Sequence, residues 1–193
     1  MLDPDAMLKS FVTIFVIMDP FASIPVFLML TRKAKDSERM RAAGVACGVA
    51  GGVLILFMVI GPWLLGAMGI ATKSFLIAGG LLLLITSIQY FLDIEFGRRG
   101  EKKDIGVEVV LIGVPLLAGP GVMATSIILT ATNGFWNVLV AGLAAVGISF
   151  LALRLSTPIQ ALLGKQGLQI FSKIMAILLA AISVEFIRGG LAS

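Results

Sequence analysis

The sequence predicts an all-α, polytopic membrane protein in which six transmembrane helices form two inverted repeats of three, with helices one and four broken near mid-depth. Three observations carry this expectation. Of the 193 residues, 59% are hydrophobic and 13% charged, with a mean hydropathy of +1.06; a soluble globular chain holds about 25% charged residues. The apolar residues fall into runs that approach or exceed the roughly 20 residues needed to cross a bilayer. Two of those runs are interrupted midway by the same kind of event, Asp19-Pro20 and Gly119-Pro120.

Taken in order, the spans read Met7 to Leu30, Ala42 to Leu65, Phe75 to Leu92, Val107 to Thr130, Phe135 to Leu155 and Ile170 to Ile187. In the first, Ile17-Met18-Asp19-Pro20-Phe21-Ala22-Ser23-Ile24-Pro25 places an acid and two prolines about halfway along. Proline has no N–H for the helix ladder, so Pro20 should open a second half-helix with Asp19 as its N-cap. Ala118-Gly119-Pro120-Gly121 repeats the event in the fourth span. Pro25 and Pro115 read as kinks. The first run lacks the small-residue cleavage pattern of a signal peptide and is read as retained.

Twelve of the 15 basic residues lie in or beside the connections after spans one, three and five: Arg32, Lys33, Lys35, Arg39 and Arg41, then Arg98, Arg99, Lys102 and Lys103, then Arg154, Lys165 and Lys173. Only Lys9, Lys73 and Arg188 fall on the other side. This asymmetry puts the odd-numbered loops in the cytoplasm and both termini outside. The net charge of +4 therefore reads as membrane orientation, with no nucleic-acid partner. Trp63, Trp136 and Tyr90 fall near predicted span ends, where aromatic rings sit among lipid headgroups.

The repeat shows outside the broken helices as well. Leu64-Leu65-Gly66-Ala67-Met68-Gly69 is echoed by Leu162-Leu163-Gly164-Lys165-Gln166-Gly167 at an offset of 98 residues, and Pro62 and Pro158 precede the two copies. Ala43, Cys47 and Gly51 recur as Ala141, Ala145 and Ser149, a matching small-residue stripe on spans two and five. Each unit has an odd number of spans, so the second copy lies upside down relative to the first. The chain is expected to form one transmembrane domain over residues 1–193, with repeats at about 7–92 and 107–191. Gly44, Gly48 and Gly52 form a further row, expected to pack within the bundle and also suited to contact between protomers of a homo-oligomer.

A half-helix that starts at mid-depth points unpaired N–H groups and the positive end of its dipole into a region without bulk water. Asp19 supplies an acceptor in the first repeat. Gly119 has no side chain, which leaves the N–H groups of Gly121, Val122 and Met123 to a ligand. The expected ligand is a small zwitterion, its carboxylate on Gly119-Pro120-Gly121, with Asp19 balancing its ammonium group or a coupling cation, sodium or a proton. The plainer alternatives are a structural N-cap at Asp19 and close helix packing at Gly119 and Gly121. Ser23, Thr125 and Ser126 either line this site or bond back to the preceding turn. Ser87 and Gln89 either bond between helices or face a cavity. Glu185 is expected to pair with Arg188 on one helix face, and Glu108 and Asp104 to be solvated.

The chain has no histidine and a single cysteine, Cys47, which removes imidazole metal ligands, an intrachain disulfide and a CxxC redox pair. No cofactor is called for, and there is no nucleotide-binding signature. An intramembrane enzyme would need a nucleophile with its base or two acids at one site, against one deep acid here. A membrane scaffold would not need a polar break in both repeats.

Val16-Ile17-Met18-Asp19-Pro20-Phe21-Ala22-Ser23-Ile24-Pro25-Val26-Phe27-Leu28 and Pro115-Leu116-Leu117-Ala118-Gly119-Pro120-Gly121, with Ile77-Ala78-Gly79-Gly80 in span three, resemble the paired signatures of the MarC family of bacterial and archaeal inner-membrane proteins. The resemblance covers essentially the whole chain. It implies a six-span protein of the lysine-exporter superfamily with both termini outside, and archaeal members described as neutral amino acid transporters. Ala22 stands where relatives often carry glycine. The resulting expectation is a secondary transporter of small neutral amino acids driven by a proton or sodium gradient, with export of other small solutes or drugs as its rival.

Overall fold

The computed structural model describes residues 2–32, 34–92, 117 and 119–192. Among these the regular structure is helical: α1 (Pro4–Met18), α2 (Pro20–Leu30), α3 (Asp36–Ala67), α4 (Thr72–Phe91), α5 (Pro120–Asn133), α6 (Phe135–Arg154) and α7 (Ser156–Leu191). The predicted start of span four at Val107, its Pro115 and Ala118, and Lys33, Arg98, Arg99, Lys102, Lys103, Asp104 and Glu108 lie outside the described residues. Five stretches are long and apolar enough to cross a membrane, namely Pro4–Leu30, Asp36–Ala67, Thr72–Phe91, Phe135–Arg154 and Gln166–Leu191, and Gly121–Asn133 is a shorter apolar helix.

Two boundaries differ from the prediction for local reasons. Helix α3 starts at Asp36 because the Lys35 N–H donates to the Glu38 carboxylate at 2.8 Å, and two acids in the first turn suit the positive end of the helix. Helix α7 starts at Ser156, almost continuous with α6, and is interrupted at Gly164 (φ 66°, ψ 178°). The LLGxxG echo is thus not an echo in backbone. In the first copy the left-handed residue is Gly69, which ends α3 with Ile70 N–H on the Leu65 carbonyl at 2.9 Å; in the second it is Gly164.

Helices α3 and α6 run antiparallel, bringing the predicted small stripes into the interior. Ala43, Cys47 and Gly51 on one side and Ala141, Ala145 and Ser149 on the other are all buried. A Cβ on Gly51 would sit 3.6 Å from Val146, and one on Gly142 2.9 Å from Leu54. Of the neighbouring row, Gly44, Gly48 and Gly52, only Gly44 meets the bundle as expected, a Cβ there lying 3.9 Å from the Phe150 ring of α6. All three are exposed, and a Cβ on Gly48 or Gly52 would meet nothing within 4 Å. One residue of offset turns a side chain by about 100° around a helix, and the 43-47-51 row already takes the inward face.

Helices α4 and α7 form a second antiparallel pair, in backbone-close contact. A Cβ on Gly80 would lie 2.8 Å from the Ser183 carbonyl oxygen, and one on Gly190 2.7 Å from that of Lys73. Helix α5 fills the centre: Ala124, Ile127 and Ile128 are buried, with Ile127 against Gly61 of α3 and Ile128 against Gly79 of α4. Leu56, Val59, Leu81, Ile85, Leu143, Leu151, Ile177 and Leu178 project outward, the apolar exterior a bilayer requires.

The direction of each half-helix follows from its end contacts. Helix α6 runs beside α1 and α2: the Asp3 N–H donates to Asn137 Oδ1 near its start, and Arg39, beside the end of α2, reaches Thr157 just beyond its end. Helix α2 therefore leads from the Asp19 break toward the Arg39 end. Asn133, the last residue of α5, bonds to Ser10 in the first half of α1 at 2.9 Å. The half-helices after the two breaks leave in opposite directions.

Candidate functional site

Asp19 does what an Asp-Pro step in an apolar span can do. It takes φ 35° and ψ 70°, the one positive φ outside glycine among the described residues. Aspartate tolerates that conformation better than most L residues. Its own N–H donates to Phe15 at 3.2 Å and closes α1, while its Oδ1 accepts the Ala22 N–H at 3.1 Å and opens α2. Pro20 follows at the first helical position, buried and with no N–H to leave unpaired. Asp19 as a whole is 2% exposed. Ser23 Oγ donates to the Asp19 carbonyl at 3.1 Å, so of its two expected roles it takes the bond back to the preceding turn.

The other carboxylate oxygen is reached from a helix that the sequence did not connect to it. Ser172 Oγ of α7 donates to Asp19 Oδ2 at 3.4 Å, and beside it the rings of Phe171 and Phe21 pack with centroids 5.3 Å apart. The one signal in the sequence was a hydroxyl early in an apolar span, between Phe171 and Lys173.

At the second break Gly119 is extended, with φ −60° and ψ 177°, and gives α5 no side-chain cap; Pro120 is its first residue. The Gly119 carbonyl accepts from Val122 at 2.9 Å and from Met123 at 3.3 Å. Two of the three N–H groups expected to stay open are thus satisfied by the tight first turn, and the Gly121 N–H remains without a capping side chain. Gly121 is buried, and a Cβ on it would lie 2.8 Å from Leu83 and 3.2 Å from Ile17. Ile17 precedes Asp19 by two residues, so the two breaks are neighbours in space.

Three hydroxyls of α5 donate to the carbonyl four residues back: Ser126 to Val122 at 2.6 Å, Thr130 to Ser126 at 2.7 Å and Thr132 to Ile128 at 3.0 Å. Thr125 does not. Its Oγ1 is buried and has no partner among the described residues, one turn from Gly121. A buried hydroxyl left without a partner costs roughly 1–3 kcal/mol.

Polar networks close both ends of this region. At one, Asn133 Nδ2 donates to Ser10 Oγ at 2.9 Å, and Asn137 joins the Asn133 carbonyl at 2.7 Å to the Asp3 N–H at 3.0 Å. At the other, Arg39 donates to Thr157 Oγ1 at 3.1 Å and to the Thr31 carbonyl at the end of α2 at 3.4 Å. Sequence reading missed both, since asparagine near a predicted loop carries no mark of its partner. Glu185 and Arg188 pair at 2.8 Å on the surface, as expected. Ser87 Oγ bonds within its own helix to Leu84 at 2.7 Å, and its side chain also borders a groove between α4 and α7.

A model of the MarC family of integral membrane proteins matches residues 5–193. The chain belongs to the MarC family. It is 36% identical over 193 residues to a UPF0056 membrane protein of Archaeoglobus fulgidus, covering 95% of this chain and 91% of the relative. It is 32% identical to one of Methanocaldococcus jannaschii, covering 98% of each, and 28% identical to YvbG of Bacillus subtilis, covering 94% of this chain and 92% of the relative. No solved structure matches. This MarC protein thus shares its length and integral membrane character with bacterial and archaeal relatives.

Proposed function

We propose that the protein is a secondary transporter of small neutral amino acids, of glycine or alanine size, coupled to a proton or sodium gradient and working by alternating access. It would sit in the inner membrane with both termini outside and the Arg39 end in the cytoplasm. The observation that carries this reading is a buried aspartate, Asp19, at a helix break, set beside a second break whose half-helix leaves in the opposite direction. A buried ionisable group in a span is costly unless used. In a bound state Asp19 balances the ammonium group or the coupling cation. The start of α5, with its Gly121 N–H and the Thr125 hydroxyl, takes the carboxylate of the amino acid. The bonds of Asn133 and Arg39 at the two ends are those that open in turn.

The test is uptake of radiolabelled glycine and alanine into proteoliposomes under imposed proton or sodium gradients. Gradient-driven uptake is expected in the parent and its loss in Asp19→Asn and Gly121→Leu protein that still reaches the membrane. Full activity in both variants, or no uptake under either gradient, ends the proposal.

A further inference from the structure

Three features of α7 converge on the first break. Ser172 Oγ stands 3.4 Å from Asp19 Oδ2. Phe171 packs on Phe21, the second residue of α2. The chain enters this segment through Gly164, whose φ of 66° and ψ of 178° are closed to other L residues. A Cβ there would meet nothing within 4 Å, so glycine is needed at this point for backbone conformation alone. Past Gly164, the stretch Gln166–Leu191 is joined to α4 through backbone contacts at Gly80 and Gly190. Toward α5, α4 meets side chains instead: Gly79 faces Ile128 and Ala124, and Leu83 faces Gly121. The α4–α7 pair is therefore joined within itself by backbone approach and to the break it covers by side-chain packing.

The spacing of the two oxygens has a chemical reading. Two ligands 3.4 Å apart subtend about a right angle at a cation roughly 2.4 Å from each, a usual distance and angle for oxygen coordination. The hydroxyl can turn from donating to Asp19 to offering its lone pairs. We propose that Asp19 Oδ2 and Ser172 Oγ are joint ligands of a monovalent cationic group, sodium or the ammonium of an amino acid, and that α4 and α7 form a gate, hinged at Gly164, which closes when that group binds. The inference rests on the reading of Asp19 as the residue that balances the charge of what is carried. Its distinct content is Ser172, a ligand on a different element from Asp19, so that a filled site holds the two together at the spacing seen here.

The experiment measures the distance between spin labels on Leu8→Cys and Val184→Cys, both exposed, in a Cys47→Ser background in lipid nanodiscs. Three arms are compared: choline chloride alone, choline replaced by sodium, and choline with alanine. The distance distribution is expected to narrow toward its shorter component in at least one added arm, which identifies the cationic group. Ser172→Ala should need about tenfold more of that ligand for the same narrowing, as for other lost supports of a bound cation. Ser172→Thr should behave as the parent, and Gly164→Ala, which touches no neighbour, should abolish the response. A parent distance indifferent to both sodium and alanine overturns the proposal, as does Ser172→Ala responding at the parental concentration. A gate that responds in a protein that moves no amino acid retires the transporter and leaves the gate standing.

Discussion

Replacing Gly80 with alanine tests the packing on which the rest depends. The added methyl would lie 2.7 Å from Ile187 Cγ1, 2.8 Å from the Ser183 carbonyl oxygen and 3.1 Å from the Ile187 nitrogen. Two of these atoms are backbone, so no rotamer change makes room and α4 must back away from α7 by several tenths of an ångström. That movement also loosens the contact of Gly190 with Lys73 and Ile77 farther along the same face. Overpacking of this kind costs about 1–3 kcal/mol, against roughly 0.8–1 kcal/mol that alanine gains over glycine in a helix. The net expectation is a loss of up to about 2 kcal/mol relative to the parent, and at about 2–4 °C per kcal/mol for this size the melting temperature falls by up to about 8 °C. Gly190→Ala should behave alike, and the double variant should lose less than the sum because one displacement relieves both clashes. Gly48→Ala and Gly52→Ala, whose methyls meet nothing within 4 Å, are the controls and should melt at or above the parent. Thermal unfolding of the purified protein in detergent, followed by circular dichroism, reads all five. Gly80→Ala melting with the controls would refute the close approach of these helices.

Asn133→Ala removes the partner of Ser10 Oγ, a fully buried hydroxyl, and should cost about 1–3 kcal/mol; the same melt checks it, and an unchanged midpoint would count against the network at that end. Cys47 is 3% exposed, so a membrane-permeant maleimide should leave the folded protein unlabelled and modify it once it is unfolded in dodecyl sulfate, as read by intact mass.

Features decided by the local chain were legible in the sequence. Asp19-Pro20 dictated a cap and a break because proline cannot donate and aspartate can accept, and both follow from adjacent residues. The stripes 43-47-51 and 141-145-149 were legible for the same reason, since helical period fixes which residues share a face. Gly48 and Gly52 failed on the one thing period leaves open, which of two adjoining faces turns inward. At the second break the absence of a cap side chain was visible at Gly119, but the carbonyl that takes up two N–H groups depends on how tightly the first turn winds. Ser172 and Asn133 reach partners more than a hundred positions away, and nothing in their own neighbourhood encodes that distance.

The union of α4 with α7 also sets a schedule for biogenesis. Gly80 leaves the ribosome 107 residues before Ile187, the residue it needs; at about 5–20 residues per second that is a wait of roughly 5–20 s. During that interval the third span is in the bilayer with its glycine face against lipid or an insertase, so truncation before the final helix should produce a protein marked for degradation.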